Sequence, residues 1–249
     1  MKHRIRALAV AALSLCVAAA MPAGANVIIA TTRVIFPAKQ GEVTVRLSNE
    51  NSTPALVEAW MDDGDPHSTP DTAKVPFLVT PPLFRMDPHK DQSLRIIGSP
   101  PGLPKDRESL FWLNVLEIPP KPNALEMADK NYLQLAIRSR LKFFYRPAGL
   151  PGDPIKAPDT LTWKEVATGK GYALEAHNPS PYYVTIVGAD VGAGGNAWQT
   201  TDPAMVAPFG TQRVSFPKLD TVLPAGAVIQ FRTINDYGAV DNHESKLMP

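Results

Sequence analysis

The sequence predicts an all-β protein, two β-sandwiches joined by a short linker. Three observations carry this. Past the N-terminal stretch no segment keeps a helical period, and short alternating runs succeed one another at turn-rich intervals. Proline is abundant, 26 of 249 residues, which favours short strands over long helices. A Pro- and Gly-dense stretch from Pro147 to Pro158 then breaks the pattern, and beyond it the alternation restarts.

The chain opens on a processing signal. Lys2, Arg4 and Arg6 precede an apolar run from Ala7 to Ala20, too short to span a bilayer comfortably, and Ala23-Gly24-Ala25 has the small-x-small form of a cleavage site. Residues 1–25 are therefore expected to be removed, leaving a mature chain from Asn26. Cys16, the one cysteine, leaves with them, so both sandwiches must rest on core packing without disulfides. The mature chain holds 22 Lys and Arg against 24 Asp and Glu once the three leader cations are gone. Such a balance points away from nucleic acid.

In the first domain, residues 26–147, strands are expected over Arg33–Phe36, Glu42–Ser48, Ala55–Met61, Pro76–Thr80, Gln92–Ile97, Leu110–Ile118 and Leu133–Tyr145. In each the large apolar residues recur every second position. In the second, residues 148–249, they are expected over Leu161–Val166, Tyr172–Asn178, Tyr182–Val191, Arg213–Phe216 and Val228–Asn235. Val191–Asn196 reads as a flexible turn and Asn242–Pro249 as a frayed end.

One strand stands apart. From Tyr132 to Pro147, Leu133, Leu135 and Ile137 make an apolar row, Arg138, Arg140 and Lys142 a basic cluster, and Phe143, Phe144 and Tyr145 an aromatic end before the linker. The simplest reading is a core strand covering its own sandwich. As the last strand of its domain, however, it is a candidate edge, and an exposed apolar edge is normally blunted unless a partner strand covers it. The apolar row and Lys142 differ in parity, so on an unbroken strand they face opposite ways; a bulge between them is the alternative.

Enzyme constellations are largely missing. His3, His67, His89, His177 and His243 are scattered without metal-ligand spacing, and there is no nucleophile elbow or phosphate-binding loop. Asp62-Asp-Gly-Asp65 lacks calcium-loop spacing and reads as an exposed turn. No cofactor and no metal are expected.

Six segments resemble the periplasmic pilus-assembly chaperones of the PapD type. They are Thr32–Phe36, Val79-Thr-Pro-Pro-Leu-Phe-Arg85, Leu94–Ile97, Trp112-Leu-Asn-Val-Leu-Glu-Ile-Pro-Pro120, Leu141-Lys-Phe-Phe-Tyr-Arg-Pro147 and Ile234-Asn-Asp-Tyr-Gly238. The resemblance implies two immunoglobulin-like domains arranged as an L with a cleft between them. It also implies a non-enzymatic periplasmic chaperone that completes pilus or fimbrial subunits by donor-strand complementation and delivers them to an outer-membrane usher, without inserting into the membrane. On it, Leu133, Leu135 and Ile137 are the donated ladder, Arg33 and Lys142 anchor the subunit's C-terminal carboxylate, and Glu117, Arg146 and Asp236 form a charged trio tying the domains together. It further points to a short-loop branch from the length of Lys121–Asn131 and to Leu125 and Met127 as extensions of the ladder, and it leaves open whether a self-capping homodimer covers the free ladder. Pro81 is a site for a cis bond. The competing readings are a secreted β-sandwich of structural or adhesive type, which would carry a donor extension or a disulfide, and a β-sandwich hydrolase or metal carrier.

Overall fold

A computed structural model describes residues 27–121, 133–169, 171–193 and 195–249. The leader, Leu125 and Met127 lie outside these. The strands are β1 (Val27–Ile29), β2 (Arg33–Pro37), β3 (Glu42–Asn49), β4 (Ala55–Asp62), β5 (Leu78–Thr80), β6 (Leu83–Met86), β7 (Asp91–Ile97), β8 (Ser109–Ile118) and β9 (Ile137–Arg146). After a 3-10 turn at Ala157–Thr160 come β10 (Thr162–Thr168), β11 (Gly171–His177), β12 (Val184–Ala193), β13 (Asn196–Thr200), β14 (Ala204–Val206), β15 (Thr211–Ser215), β16 (Val228–Ile234) and β17 (Val240–Lys246).

The first nine form one sandwich, with sheets ordered β1-β3-β7-β5 and β2-β9-β8-β4-β6. The rest form a second, with β10-β11-β15 facing β13-β12-β16-β17 and β14 paired to β12. Alternation explains the cores. Val45 and Leu47, Val57 and Ala59, Leu94 and Ile96, and Leu113 and Val115 sit at two-residue spacing, and all are buried between the first pair of sheets. Phe36, Phe77, Phe111 and Phe143 close one end of that core, Phe77 meeting Phe111 edge-on at 5.0 Å and Phe143 at 4.9 Å. Trp163, Leu174, Ile186, Ile229 and Phe231 centre the second core. The Thr80–Pro81 bond is cis.

Three sequence expectations need correction. The polar tail is not frayed: β17 pairs with β16 from Val240 to Lys246, and Leu247 is buried beside Trp163. Its inward side chains are polar, so it carries no apolar row to read; backbone pairing and the buried Leu247 hold it. The Val191–Asn196 stretch is mostly strand, forming a β12–β13 hairpin that pairs Ala193 with Asn196. The aspartate run is only partly an exposed turn. Asp63 to Asp65 are exposed, but Asp62 ends β4 and its side chain is 1% exposed.

Each sandwich closes one loop around a buried asparagine. Asn49 Nδ2 donates to the carbonyls of Thr53, Met86 and Asp87, and its Oδ1 accepts from the Asn51 N–H. Asn178 repeats the device, donating to Tyr182, Val206 and Ala207 and accepting from Ser180. Asn178→Ala leaves those buried carbonyls unmet, so chemical denaturation should show a loss of about 2–3 kcal/mol. A loss below roughly 0.5 kcal/mol would mean that water replaces the side chain.

Candidate functional site

The site is built on β9. Along its whole length β9 pairs antiparallel with β8, from Ile137 opposite Glu117 to Tyr145 opposite Ser109. On its other side the parallel partner β2 covers only Lys142 to Arg146. Among the described residues the strand is thus interior for its second half and an open edge from Ile137 to Leu141. Regular pairing starts at Ile137; Leu133 to Ala136 precede it outside the sheet. Gln134 Nε2 holds this lead-in by donating to the Pro119 carbonyl at 2.8 Å.

Parity sorts the side chains. Leu141 and Phe143 point into the first core, and Leu133, Leu135 and Ile137 share their parity but lie beyond it. These three are 81%, 60% and 49% exposed. Arg138, Arg140, Lys142, Phe144 and Arg146 take the opposite face.

On that face, Arg33 and Lys142 are direct neighbours in the β2–β9 register. Arg33 is 7% exposed. Its Nη1 donates to the Ile234 carbonyl in the second domain at 2.8 Å, its guanidinium lies over Phe144 at 5.8 Å, and its buried Nε has no hydrogen-bond partner among the described residues. Burial holds its pKa below the ordinary value against the pull of Asp236 and Glu108. Lys142 forms no ion pair among the described residues. Burial, then the Arg33 charge, lowers its pKa to about 8. Two cations thus lie side by side in a partly desolvated place, and Lys142 has no counter-ion among the described residues.

Arg146 joins the domains. It gives Nη1 and Nη2 to Asp236 at 2.7 and 2.9 Å and Nε to Glu108 at 2.7 Å, and it lies over the Tyr182 ring at 5.3 Å. Glu108 reaches across as well, its Oε2 accepting from the Tyr183 N–H at 2.8 Å. Burial works against the Arg146 charge, but Asp236 and Glu108 outweigh it and raise its pKa. Asp236 sits at the tip of the β16–β17 hairpin, where Asn235 Oδ1 accepts from the Tyr237 and Ala239 N–H groups. Gly238 closes that turn at φ +84, so close to Thr32 that a Cβ would meet its Oγ1 at 2.5 Å.

Glu117 is not part of this cluster. It lies at the far end of β8, opposite Ile137, and its Oε2 accepts from the Val27 N–H at 3.0 Å. Ile137 and Arg146 are separated by nine residues of strand, roughly 30 Å, so no side chain bridges them. Glu108, just before β8 and level with the end of β9, takes the place assigned to Glu117. The deciding fact is the register: with Ser109 aligned to Tyr145 in an antiparallel pair, the residue before Ser109 is the one that meets Arg146.

The family model for the N-terminal domain of PapD, a pili and flagellar-assembly chaperone, matches residues 26–151, and that for the C-terminal domain of the PapD pili assembly chaperone matches 156–245. The chain is 44% identical over 248 residues to the chaperone protein FimB/FhaD of Bordetella pertussis, covering 97% of each. Among solved structures, the YadV chaperone, a protein of Escherichia coli, superposes with a TM-score of 0.75 at 38% identity, over 90% of this chain and 100% of that one. The complex of the SafA pilin with the SafB chaperone from Salmonella enterica matches with a TM-score of 0.72 at 29% identity, over 91% of this chain and 99% of the other.

Proposed function

The chain belongs to the PapD family of pilus-assembly chaperones, and from that premise we propose how its own residues handle a fimbrial subunit. The client lacks one strand of its fold and therefore shows a groove and unpaired backbone. The open edge of β9 from Ile137 to Leu141 supplies ladder bonds, and Leu133, Leu135 and Ile137 fill the groove. Burying each is worth about 1.5–3 kcal/mol before ordering costs. Arg33 and Lys142 receive the client's terminal carboxylate through charge-assisted hydrogen bonds. That contact fixes where the paired strands align, since a one-residue slip would turn every client side chain to the wrong face. The protein acts by binding alone, in the periplasm, and passes its cargo to an outer-membrane usher.

The observation that carries this reading is the pairing of β9, covered by β2 at one end and open at the other, with its apolar row exposed at the open end. The reading is supported by the SafB chaperone, a relative whose solved structure is a complex with the SafA pilin.

Leu135→Asp tests it. Leu135 is exposed, so the change leaves the free protein's melting temperature within about 2 °C, consistent with ordinary surface substitutions. Subunits co-expressed in the periplasm should no longer co-purify, because a buried, unpaired carboxylate would enter their groove. Normal recovery of subunits with this variant would remove the ladder from the mechanism.

A further inference from the structure

Three cations share one face of β9 at two-residue spacing: Arg138, Arg140 and Lys142. Lys142 lacks an ionic partner among the described residues, whereas the other two are held by Asp62. Arg140 Nε donates to Asp62 Oδ2 at 3.2 Å and Nη2 to Oδ1, while its guanidinium lies over the Trp112 ring at 4.5 Å. Arg138 lies over Trp60 at 4.7 Å and spends its donors on Asn114 Oδ1 at 2.9 Å, the Pro66 carbonyl at 2.8 Å and Ser68 Oγ at 3.3 Å. Asn114 and Ser68 in turn donate to Asp62 Oδ2, at 2.7 and 3.2 Å. Burial would raise the Asp62 pKa, but bonds from Arg140, Asn114 and the Gly64 N–H lower it below its ordinary value.

This arrangement matters for alignment. A slip of one residue between paired strands is punished because side chains change face, but a slip of two restores every facing. Only the end anchor distinguishes the two-residue alternatives. A free Arg140 would be a second anchor, one strand period from Lys142 on the same face. Its donors are instead committed to a buried carboxylate, and its plane is flattened on an indole.

We propose that Asp62 is a register-determining residue: by occupying Arg138 and Arg140 it leaves the Arg33–Lys142 pair as the sole carboxylate anchor along β9. The proposal rests on the donor-strand reading above. Asp62 acts through the two arginines and touches no cargo, so it is a positioning residue.

The test uses disulfide trapping on the mature chain, which has no native cysteine outside the leader. Ala136, exposed and off the ladder parity, becomes the probe as Ala136→Cys. The ligand is a set of synthetic strands of alternating Val and Thr ending in a free carboxylate, with one cysteine moved a residue at a time. With Asp62 intact, one cysteine position should trap. With Asp62→Asn a second position, two residues away, should trap to a comparable yield. Adding Arg140→Gln to that variant should restore the single position, a rescue that a purely structural Asp62 does not predict.

Should Asp62→Asn unfold, Arg140→Lys in the parent, which weakens the fork but keeps the charge, should give the same second position at lower yield. A single unchanged register in the Asp62→Asn variant overturns the proposal, as does weaker trapping with no second position. The anchor reading fails separately: Lys142→Met with unaltered register and yield would remove the anchor itself.

Discussion

Arg146→Ala should separate the two sandwiches energetically. Removing the guanidinium leaves Glu108 buried without its cation and Asp236 without its fork, and breaking such a pair from one side costs about 3–5 kcal/mol. For two domains of this size that corresponds to a drop in melting temperature of roughly 10 °C. Calorimetry should also resolve two transitions in the variant against one expected for the parent, because each sandwich has its own core and the lost group bridges them. The effect should spread to cargo. Arg33 donates a hydrogen bond to the Ile234 carbonyl, two residues before Asp236 on the same hairpin, so a displaced tip should release Arg33 as well. Asp236→Asn, at a more exposed partner, should show a smaller loss. A single transition within about 1 kcal/mol of the parent would mean that other contacts, such as the Glu108–Tyr183 bond, hold the domains without Arg146.

Lys142→Met should weaken capture of a strand with a free C-terminus about tenfold to a hundredfold, the range of a charge-assisted hydrogen bond, and should not change binding of the same strand as its C-terminal amide. pH gives a sharper signature. With its pKa near 8 in the free protein, Lys142 is charged below that and neutral above it. A bound carboxylate favours the charged form, so above pH 8 affinity should fall by about tenfold per pH unit, and the Met variant should be flat. Folding stability moves the other way. The folded-state pKa lies below the unfolded value, so between about 8 and the ordinary lysine value of 10.5 the unfolded chain holds more protons and stability rises with pH. Lys142→Met should lack that rise in thermal melts taken across the window. Equal pH slopes for the two proteins would show that Lys142 does not titrate there.

Much of this was legible in the sequence wherever a strand has one wet and one dry face. Val45 and Leu47, or Leu113 and Val115, announce their strands because alternation and burial coincide. The alternation of Leu133, Leu135 and Ile137 was visible too, although these side chains are exposed and the first two precede β9. What could not be read were facts of register and of neighbours across a sheet. Arg138, Arg140 and Lys142 look alike in the sequence, and only the pairing of Asp62 with Trp112, which brings its carboxylate to the face of β9, divides them into two held cations and one without an ionic partner among the described residues. Glu117 and Glu108 are both single acids near β8, and only the alignment of β8 against β9 decides which meets Arg146. Strand β17 escaped because its polar residues pair by backbone, leaving no apolar period to detect.

The uneven cover of β9 has a consequence for repeated use. From Lys142 onward the strand is bolted between two neighbours, and its Phe143 belongs to a closed interior. On the proposed donor-strand reading, the backbone pairing of cargo engages only the stretch from Ile137 to Leu141, which has no second neighbour among the described residues. On that reading no strand pairing of the protein's own sheet has to open when cargo leaves, and the emptied molecule should already be in the shape needed for the next round.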